Sequence, residues 1–172
     1  CDSTKAEEAS AGPAPWKKPL ILDADALNIL SGHLEWRKSY PGPVIVTPHM
    51  GEMARLTGRS VEELRGSLPA CAKAFAKAHN VTCVLKDART VTAFPDGSYY
   101  INTSGNNGMA TGGAGDVLTG VIAGLIAQGV EPDMAAAFGV FLHGKAGDIM
   151  VKETGQYSMM ASDLIEGIRQ IT

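Results

Sequence analysis

Thr103-Ser-Gly-Asn-Asn-Gly-Met-Ala-Thr-Gly-Gly-Ala-Gly-Asp-Val-Leu-Thr-Gly120 is the stretch on which the reading of this chain turns. Its first half holds too much Gly, Asn and Ser to pack as a regular element. From Asp116 the pattern changes to a helical one: Val117, Val121 and Leu125 recur on one row, and Leu118, Ile122 and Ile126 on the next. A flexible loop that runs into a helix start leaves backbone N–H groups without intrahelical partners. With the positive end of the helix dipole they form an anion site. Gly112, Gly113 and Gly115 lack a Cβ, so a phosphate can approach their backbone closely. A carboxylate at Asp116 stands where it can act as a base beside the bound anion. The alternative is a Gly-rich linker whose Asp caps a helix.

Composition narrows the class further. The 172 residues are 45% hydrophobic and 19% charged, as expected of one globular domain. Such a domain buries roughly 70% of the surface its unfolded chain exposes. A net charge of -3 without a basic cluster argues against nucleic acid or an acidic membrane surface as partner. No apolar run reaches transmembrane length and no signal-peptide pattern opens the chain, so a cytoplasmic protein is expected. Cys1, Cys71 and Cys83 are odd in number and lack metal-type spacing. They read as reduced thiols, and no metal-ligand set is expected. Residues 1–18 mix polar residues, Ala and Pro, and read as a mobile lead-in or the remnant of a preceding half; residues 19–172 form the domain.

Outward from the loop, short apolar runs alternate with helical patterns. Pro19-Leu-Ile-Leu-Asp23, Val44-Ile-Val-Thr47 and Val81-Thr-Cys-Val-Leu-Lys86 suit buried parallel strands. Helices are expected over 26–31, over 52–56 with Gly58 as the stop, after the capping box Ser60-Val-Glu-Glu63, and over 70–79. His33 to Pro43 has no period and reads as surface loop. Thr90 to Phe94 and Ser98 to Asn102 flank the turn Pro95-Asp-Gly97 and form a hairpin. The helix after the Gly-rich loop stops at Gly129. Its Gly120 and Gly124 each cost about 1 kcal/mol relative to Ala, so close approach to the sheet or a neighbouring helix is expected there. Pro132 opens the next helix, with Ala135, Phe138, Leu142, Ala146 and Ile149 on one side and His143 as a structural residue. Ser162 is expected to cap the last helix, which carries Leu164, Ile165, Ile168 and Ile171. The pattern predicts an α/β sandwich, mostly parallel, with an antiparallel hairpin at one edge.

In open α/β sheets ligands gather outside the carboxyl ends of the strands. That places Asp25 and Asn28 after the first strand, His49 after the second and Lys86 after the third. An ammonium at Lys86 suits phosphate oxygens, and His49 can bond a ligand or titrate near neutral pH. Each has a plainer alternative: Asp23 or Asp25 caps the short helix, and His49 is a solvated loop residue.

Four blocks converge. They are Leu20-Ile-Leu-Asp-Ala-Asp-Ala-Leu-Asn28, Val46-Thr-Pro-His-Met-Gly-Glu-Met-Ala-Arg-Leu56, Val84-Leu-Lys-Asp-Ala-Arg-Thr-Val91 and Asn106-Asn-Gly-Met-Ala-Thr-Gly-Gly-Ala-Gly-Asp-Val-Leu-Thr-Gly120. In order and spacing they closely resemble the carboxyl-terminal part of the ADP/ATP-dependent NAD(P)H-hydrate dehydratases, a family of the ribokinase-like superfamily. The resemblance implies a three-layer ribokinase-like sandwich and a repair lyase. Such an enzyme returns the S epimer of hydrated NADH or NADPH to the working cofactor while ADP or ATP is split, with Mg²⁺ accompanying the nucleotide. It implies Asp116 as base and substrate contact and His49 as a contact to the hydrated nucleotide, to which Asn28 is added from its place after the first strand. Lys86, Asp87, Ala88, Arg89 and Thr90, with Thr111, Gly112, Gly113, Ala114 and Gly115, would hold the adenine nucleotide, the last three lining the hole for the transferring phosphoryl group. A homo-oligomer, a tetramer, is implied too.

Asp87 stands where Gly is usual in that family, Asn107 where Pro is, and Ala114 where Ser is. The amino-terminal half of family members is expected to be missing, which would leave a sheet edge in need of cover. Two rivals share the same loop: a vitamin-precursor kinase of the superfamily, and an inactive nucleotide-binding fragment.

Overall fold

The computed structural model describes residues 17–171. The lead-in expected over residues 1–18 lies outside them except for its last two residues. Three strands run parallel: β1 (Leu20–Leu22), β2 (Val44–Val46) and β3 (Thr82–Leu85). β4 (Val91–Ala93) and β5 (Tyr99–Ile101) turn back as an antiparallel hairpin beside β3. The sheet order is β1-β2-β3-β4-β5. Register follows burial: Ile45 sits opposite Ile21 and Thr82, and every residue of β2 and β3 is buried. A continuous β-branched, apolar run is what a strand covered on both faces requires.

Side chains of alternate parity define the two layers of helix. Val44, Val46, Cys83 and Leu85 face α1 (Asp25–Leu30), α2 (Met50–Thr57), α3 (Val61–Arg65) and α4 (Leu68–His79). Ile45 and Val84 face the other way, onto Leu118 and Ile122 of α5 (Ala114–Ala127) and Ala135, Ala136 and Val140 of α6 (Pro132–Thr154). α7 (Ala161–Arg169) packs on α5 and α6. The expected α/β sandwich with an antiparallel edge is therefore observed.

Several local expectations need correction. His33 to Pro43 holds a 3₁₀ helix, Leu34–Ser39, rather than plain loop. The last helix starts at Ala161, so Ser162 lies inside it. Its first-turn carboxylate, Asp163, takes the N–H of Met160 at 2.8 Å. Phe138, grouped by periodicity on one side with Ala135, Leu142 and Ala146, is 42% exposed while those three are buried. A Cβ at Gly120 or Gly124 would meet nothing within 4 Å among the described residues. The close approaches fall instead on α6 and α7. A Cβ at Gly167 would lie 2.7 Å from the Ala146 carbonyl oxygen, and one at Gly144 2.2 Å from Ser104 Oγ.

This contrast gives a paired test by urea unfolding of the chain. Gly120→Ala removes a helix-interior glycine with no steric cost and is expected to add up to about 1 kcal/mol. Gly167→Ala drives a methyl into the α6 backbone and is expected to cost about 1–3 kcal/mol. Equal effects from the two would overturn the packing described.

Candidate functional site

The carboxyl ends of β1, β2 and β3 open on a cleft of ≈ 870 Å³, roofed by residues 104–116. Asp23 follows β1 and lines the cleft, while the chain turns sharply at Ala24, whose φ of 50° and ψ of -123° are strained for a side chain. The Asp23 carboxylate accepts hydrogen bonds from Lys86 Nζ at 2.8 Å and Thr119 Oγ1 at 2.9 Å. Burial pushes this carboxyl up. The Lys86 ammonium, through hydrogen bond and charge, and the Thr47 and Thr119 hydroxyls outweigh it and leave the group below its ordinary value.

His49 ends the second strand connection and caps α2. Its Nδ1 accepts from the N–H groups of Gly51, at 2.9 Å, and Glu52, at 3.3 Å. The Glu52 carboxylate accepts from the His49 N–H at 2.7 Å, which closes a reciprocal cap. With Nδ1 accepting, a neutral ring carries its proton on Nε2, 3.4 Å from Glu52 Oε1. Gly51 is required beneath the ring, since a Cβ there would lie 2.8 Å from His49 Cε1. Sequence reading therefore put the helix start two residues late; the ring that caps it also lines the cleft.

Lys86 sits beside His49, its N–H bonded to the Pro48 carbonyl at 2.8 Å. Its ammonium reaches the first turn of α5: a Cβ on Gly115 would be 3.3 Å from Nζ and 3.8 Å from Asp23 Oδ2. Gly113, with φ of 88°, precedes that turn, and the N–H groups of Gly115 and Asp116 have no protein partner among the described residues. Two free amides, a helix N-terminus and an ammonium together make an anion cradle. Asp116 is exposed at its rim, in the first turn.

The loop leading to the cradle rests on α6. Asn102 is buried; its amide donates to the Ser104 carbonyl at 3.0 Å and its Oδ1 accepts from Ser104 Oγ at 2.9 Å. Asp148 accepts from the Gly105 N–H at 3.0 Å and from Asn106 Nδ2 at 3.4 Å. Asn106 Oδ1 in turn accepts from the Gly108 N–H at 3.0 Å, at the start of a 3₁₀ turn, Asn107–Met109. His143, on α6, lies against the cleft with its ring buried.

Of the residues singled out from sequence, Asp116, His49, Lys86 to Thr90, Thr111 and Gly113 to Gly115 line the cleft. Gly112 does not. Asn28 does not either: it is exposed on α1, with its amide 3.5 Å from Asp25 Oδ1. Sequence reasoning missed Asp23, Glu52 and His143 as cleft residues. Asp23 was legible as the last residue of a strand, but a helix cap explained it equally well. Among the described residues no group of three or more His, Cys, Asp or Glu is placed to hold a metal ion.

A sheet whose parallel strand ends meet a glycine-rich helix start defines a nucleotide-phosphate class of α/β protein. A family model described as NAD(P)H-hydrate dehydratase matches residues 11–170, and the chain belongs to that family. It is 43% identical over 152 residues to the ADP-dependent (S)-NAD(P)H-hydrate dehydratase of Neisseria meningitidis, covering 87% of this chain and 50% of that protein. It superposes with a TM-score of 0.82 on the ADP/ATP-dependent NAD(P)H-hydrate dehydratase of Bacillus subtilis, crystallised with ATP/Mg²⁺ and soaked with CoA. There the identity is 37%, over 91% of this chain and 56% of that one. A ribokinase-like superfamily protein of Enterococcus faecalis superposes at 0.72 with 34% identity, over 88% and 51%. The fold is thus ribokinase-like. The chain spans between 28% and 51% of the length of the curated relatives it matches.

The Asp23–Lys86 pair makes a prediction about pH. A carboxyl held low in the folded state contributes stability that is complete above its unfolded value of about 4, and that is lost as pH falls through the folded value. Lys86→Met should cost about 2–3 kcal/mol near pH 7, between the values for exposed and for buried pairs. The gap to the parent protein should narrow below about pH 4. Acid and urea unfolding of both proteins measures it; a gap independent of pH would reject the role given to Lys86.

Proposed function

We propose that residues 19–172 form part of a ribokinase-like catalytic domain that dehydrates the S epimer of hydrated NADH or NADPH at the expense of ADP or ATP. The observation that carries this reading is the meeting of Asp116, the free amides of Gly115 and Asp116, and Lys86 around one cleft with His49 at its side. Family membership and the names of the relatives support the same chemistry.

In this reading Asp116 takes the proton of the substrate hydroxyl. The freed oxygen attacks the terminal phosphorus of the nucleotide, and the bond to the departing AMP or ADP breaks. Phosphate then leaves with the former hydroxyl oxygen, a neighbouring carbon gives up a proton, and the ring double bond is restored. Gly113, Ala114 and Gly115 line the hole for the transferring group; the Ala114 N–H is held by the Thr111 carbonyl, and the open amides beside it act as preorganised donors that stabilise developing charge without rearranging. Lys86 to Thr90 and Thr111 hold the nucleotide, and His49 and Asp116 hold the hydrated cofactor; Gly112, which does not line the cleft, is left out. Asn28, expected at the site from its place after the first strand, is exposed on α1 and does not line the cleft, so it is left out too.

Mg²⁺ would neutralise phosphate charge. It is bound mainly by phosphate oxygens and waters, so it needs no three-residue protein site, and a single carboxylate lining the cleft, Asp87 or Asp116, would fit that need. The remaining proposals concern setting. No helix among the described residues is long and apolar enough to cross a membrane, and buried Cys71 and Cys83 are free thiols, which supports a cytoplasmic protein. Exposed Met134, Phe138 and Phe141 along α6 support self-association, for which a tetramer is the proposed form.

Two measurements test this. Asp116→Asn is expected to reduce phosphate release from hydrated NADH and ADP by about 10²–10⁴-fold, the usual worth of a general base. Near-normal turnover would sink the assignment. ADP with Mg²⁺ should raise the melting temperature of this chain, because a ligand that binds the folded state alone stabilises it. No shift at millimolar ADP would mean that this span lacks a usable nucleotide site.

A further inference from the structure

The half-buried carboxylate of Asp148 does not line the cleft, yet it is built into the loop that roofs it. Among the described residues no Lys, Arg or His forms an ion pair with it. Its two oxygens go instead to neutral donors on one short segment. Oδ2 accepts from the Gly105 N–H at 3.0 Å, and Oδ1 accepts from Asn106 Nδ2 at 3.4 Å. Asn106 passes the contact on: its own Oδ1 accepts from the buried Gly108 N–H at 3.0 Å, inside the 3₁₀ turn Asn107–Met109. The orientation of this amide is decided at both ends, since the Gly108 N–H needs an oxygen and the carboxylate needs an N–H. Asp148, Asn106 and Gly108 thus form a relay of one polarity. It runs from a carboxylate that only accepts to a backbone amide that only donates.

The relay ends in the roof of the cleft. Residues 104–107 and 109–111 line it, and the chain runs on from them to Gly113 and the start of α5. The turn 107–109 is held from within by the Met109 N–H to the Asn106 carbonyl, at 3.2 Å, and the Ala110 N–H to the Asn107 carbonyl, at 3.1 Å. Where Asn106 is set, the turn follows. The residues given to the nucleotide at the end of β3 have other anchors: Lys86 is held by Asp23, and Arg89 by the Thr103 carbonyl. Loss of the relay therefore shifts the roof and leaves that grip in place.

Resting on the function proposed above, we infer that Asp148 is a positioning residue for phosphoryl transfer: through Asn106 it fixes the turn 107–109 and so the approach of the roof to the reacting groups. A misplacement of about 1 Å, caused far from the chemistry, is worth up to about 10²-fold in rate. The polarity of the relay supplies the test. Asp148→Asn keeps size and one acceptor. If its oxygen serves Gly105, its NH₂ faces the NH₂ of Asn106; if the Asn106 amide turns over, that NH₂ faces the Gly108 N–H. Either way two donors meet without an acceptor. Adding Asn106→Asp reverses the middle bond and restores the parent charge. The amide at position 148 then donates to the carboxylate at position 106, whose other oxygen takes the Gly108 N–H.

Phosphate release from hydrated NADH and ADP, and hydrogen exchange at the Gly108 amide, are to be measured on the parent chain, on both single variants and on the double variant. Asp148→Asn is expected to lower kcat about 10–100-fold while KM for ADP changes less than about 3-fold, and to speed exchange at Gly108. Asn106→Asp alone sets two carboxylates against each other and should do the same. The double variant should regain most of the parent kcat together with slow exchange at Gly108. A parent-like kcat in Asp148→Asn, a change confined to KM, or a double variant no better than Asp148→Asn overturns the inference. A parent chain that releases no phosphate defeats the proposed function first, and this inference with it.

Discussion

The anion cradle depends on how closely the Gly-rich loop can lie on α6. Residues 104–109 bring no core of their own, so their shape must come from what they rest on. Successive turns of α6 supply it: the Phe141 carbonyl accepts from Ser104 Oγ at 3.1 Å, and Gly144 leaves room for Ser104. Gly147 leaves room for Met109, where a Cβ would come 2.4 Å from Sδ, and Asp148 takes the Gly105 N–H. The two glycines are there because of steric contact, not flexibility. A methyl at either would lift the loop, and with it the start of α5 that carries the free amides.

The same arrangement sets the charge of the cleft. A helix N-terminus and the Lys86 ammonium placed together would repel each other without a counter-charge. Asp23 supplies it, accepting from the Lys86 ammonium and from the neutral Thr119 hydroxyl. The pair leaves Lys86 fixed at the first turn of α5 rather than free in solvent, so that in the function proposed a phosphate would meet an ammonium already in position, with little side-chain entropy to lose on binding. Arg89, at the rim, is tied to the Thr103 carbonyl at 3.0 Å and keeps a second cation close to the loop.

The fold was largely legible in the chain because its signals are local. Val44-Ile-Val46 and Thr82 to Leu85 read as covered strands, Pro95-Asp-Gly97 as a hairpin turn, and Ser60 with Glu63 as a capping box; all are observed. What could not be read depends on distant contacts. Gly120 and Gly144 look alike in sequence, yet one faces open space and the other meets Ser104. Periodicity grouped Phe138 with Ala135, Leu142 and Ala146, because a 23-residue helix with apolar residues on most sides does not declare which of them faces the core. The same limit hid His143. A histidine on an apolar helix face is usually a structural residue, and only the tertiary fold sets this one against the cleft.

The three departures from the family pattern fall where the backbone, rather than the side chain, carries the role. Asn107 occupies the first position of a 3₁₀ turn, where proline is favoured because its missing N–H is not needed, and the Asn107 N–H has no partner among the described residues. Ala114 is buried among Met150, Met159 and Leu164; an apolar methyl suits that packing, while the amide row of the α5 start is unchanged. Asp87 is exposed at the cleft rim, and its carbonyl rather than its carboxylate accepts from Thr90 Oγ1, at 3.5 Å. Its charge is therefore the one departure that a nucleotide would meet directly. Solvent screening weakens an exposed charge beside a phosphate, and a carboxylate in that place is also an oxygen donor for the cation that a nucleotide brings with it. The chemistry of the cleft is thus set by amides that glycine exposes and by two strand-end charges, none of which these substitutions remove.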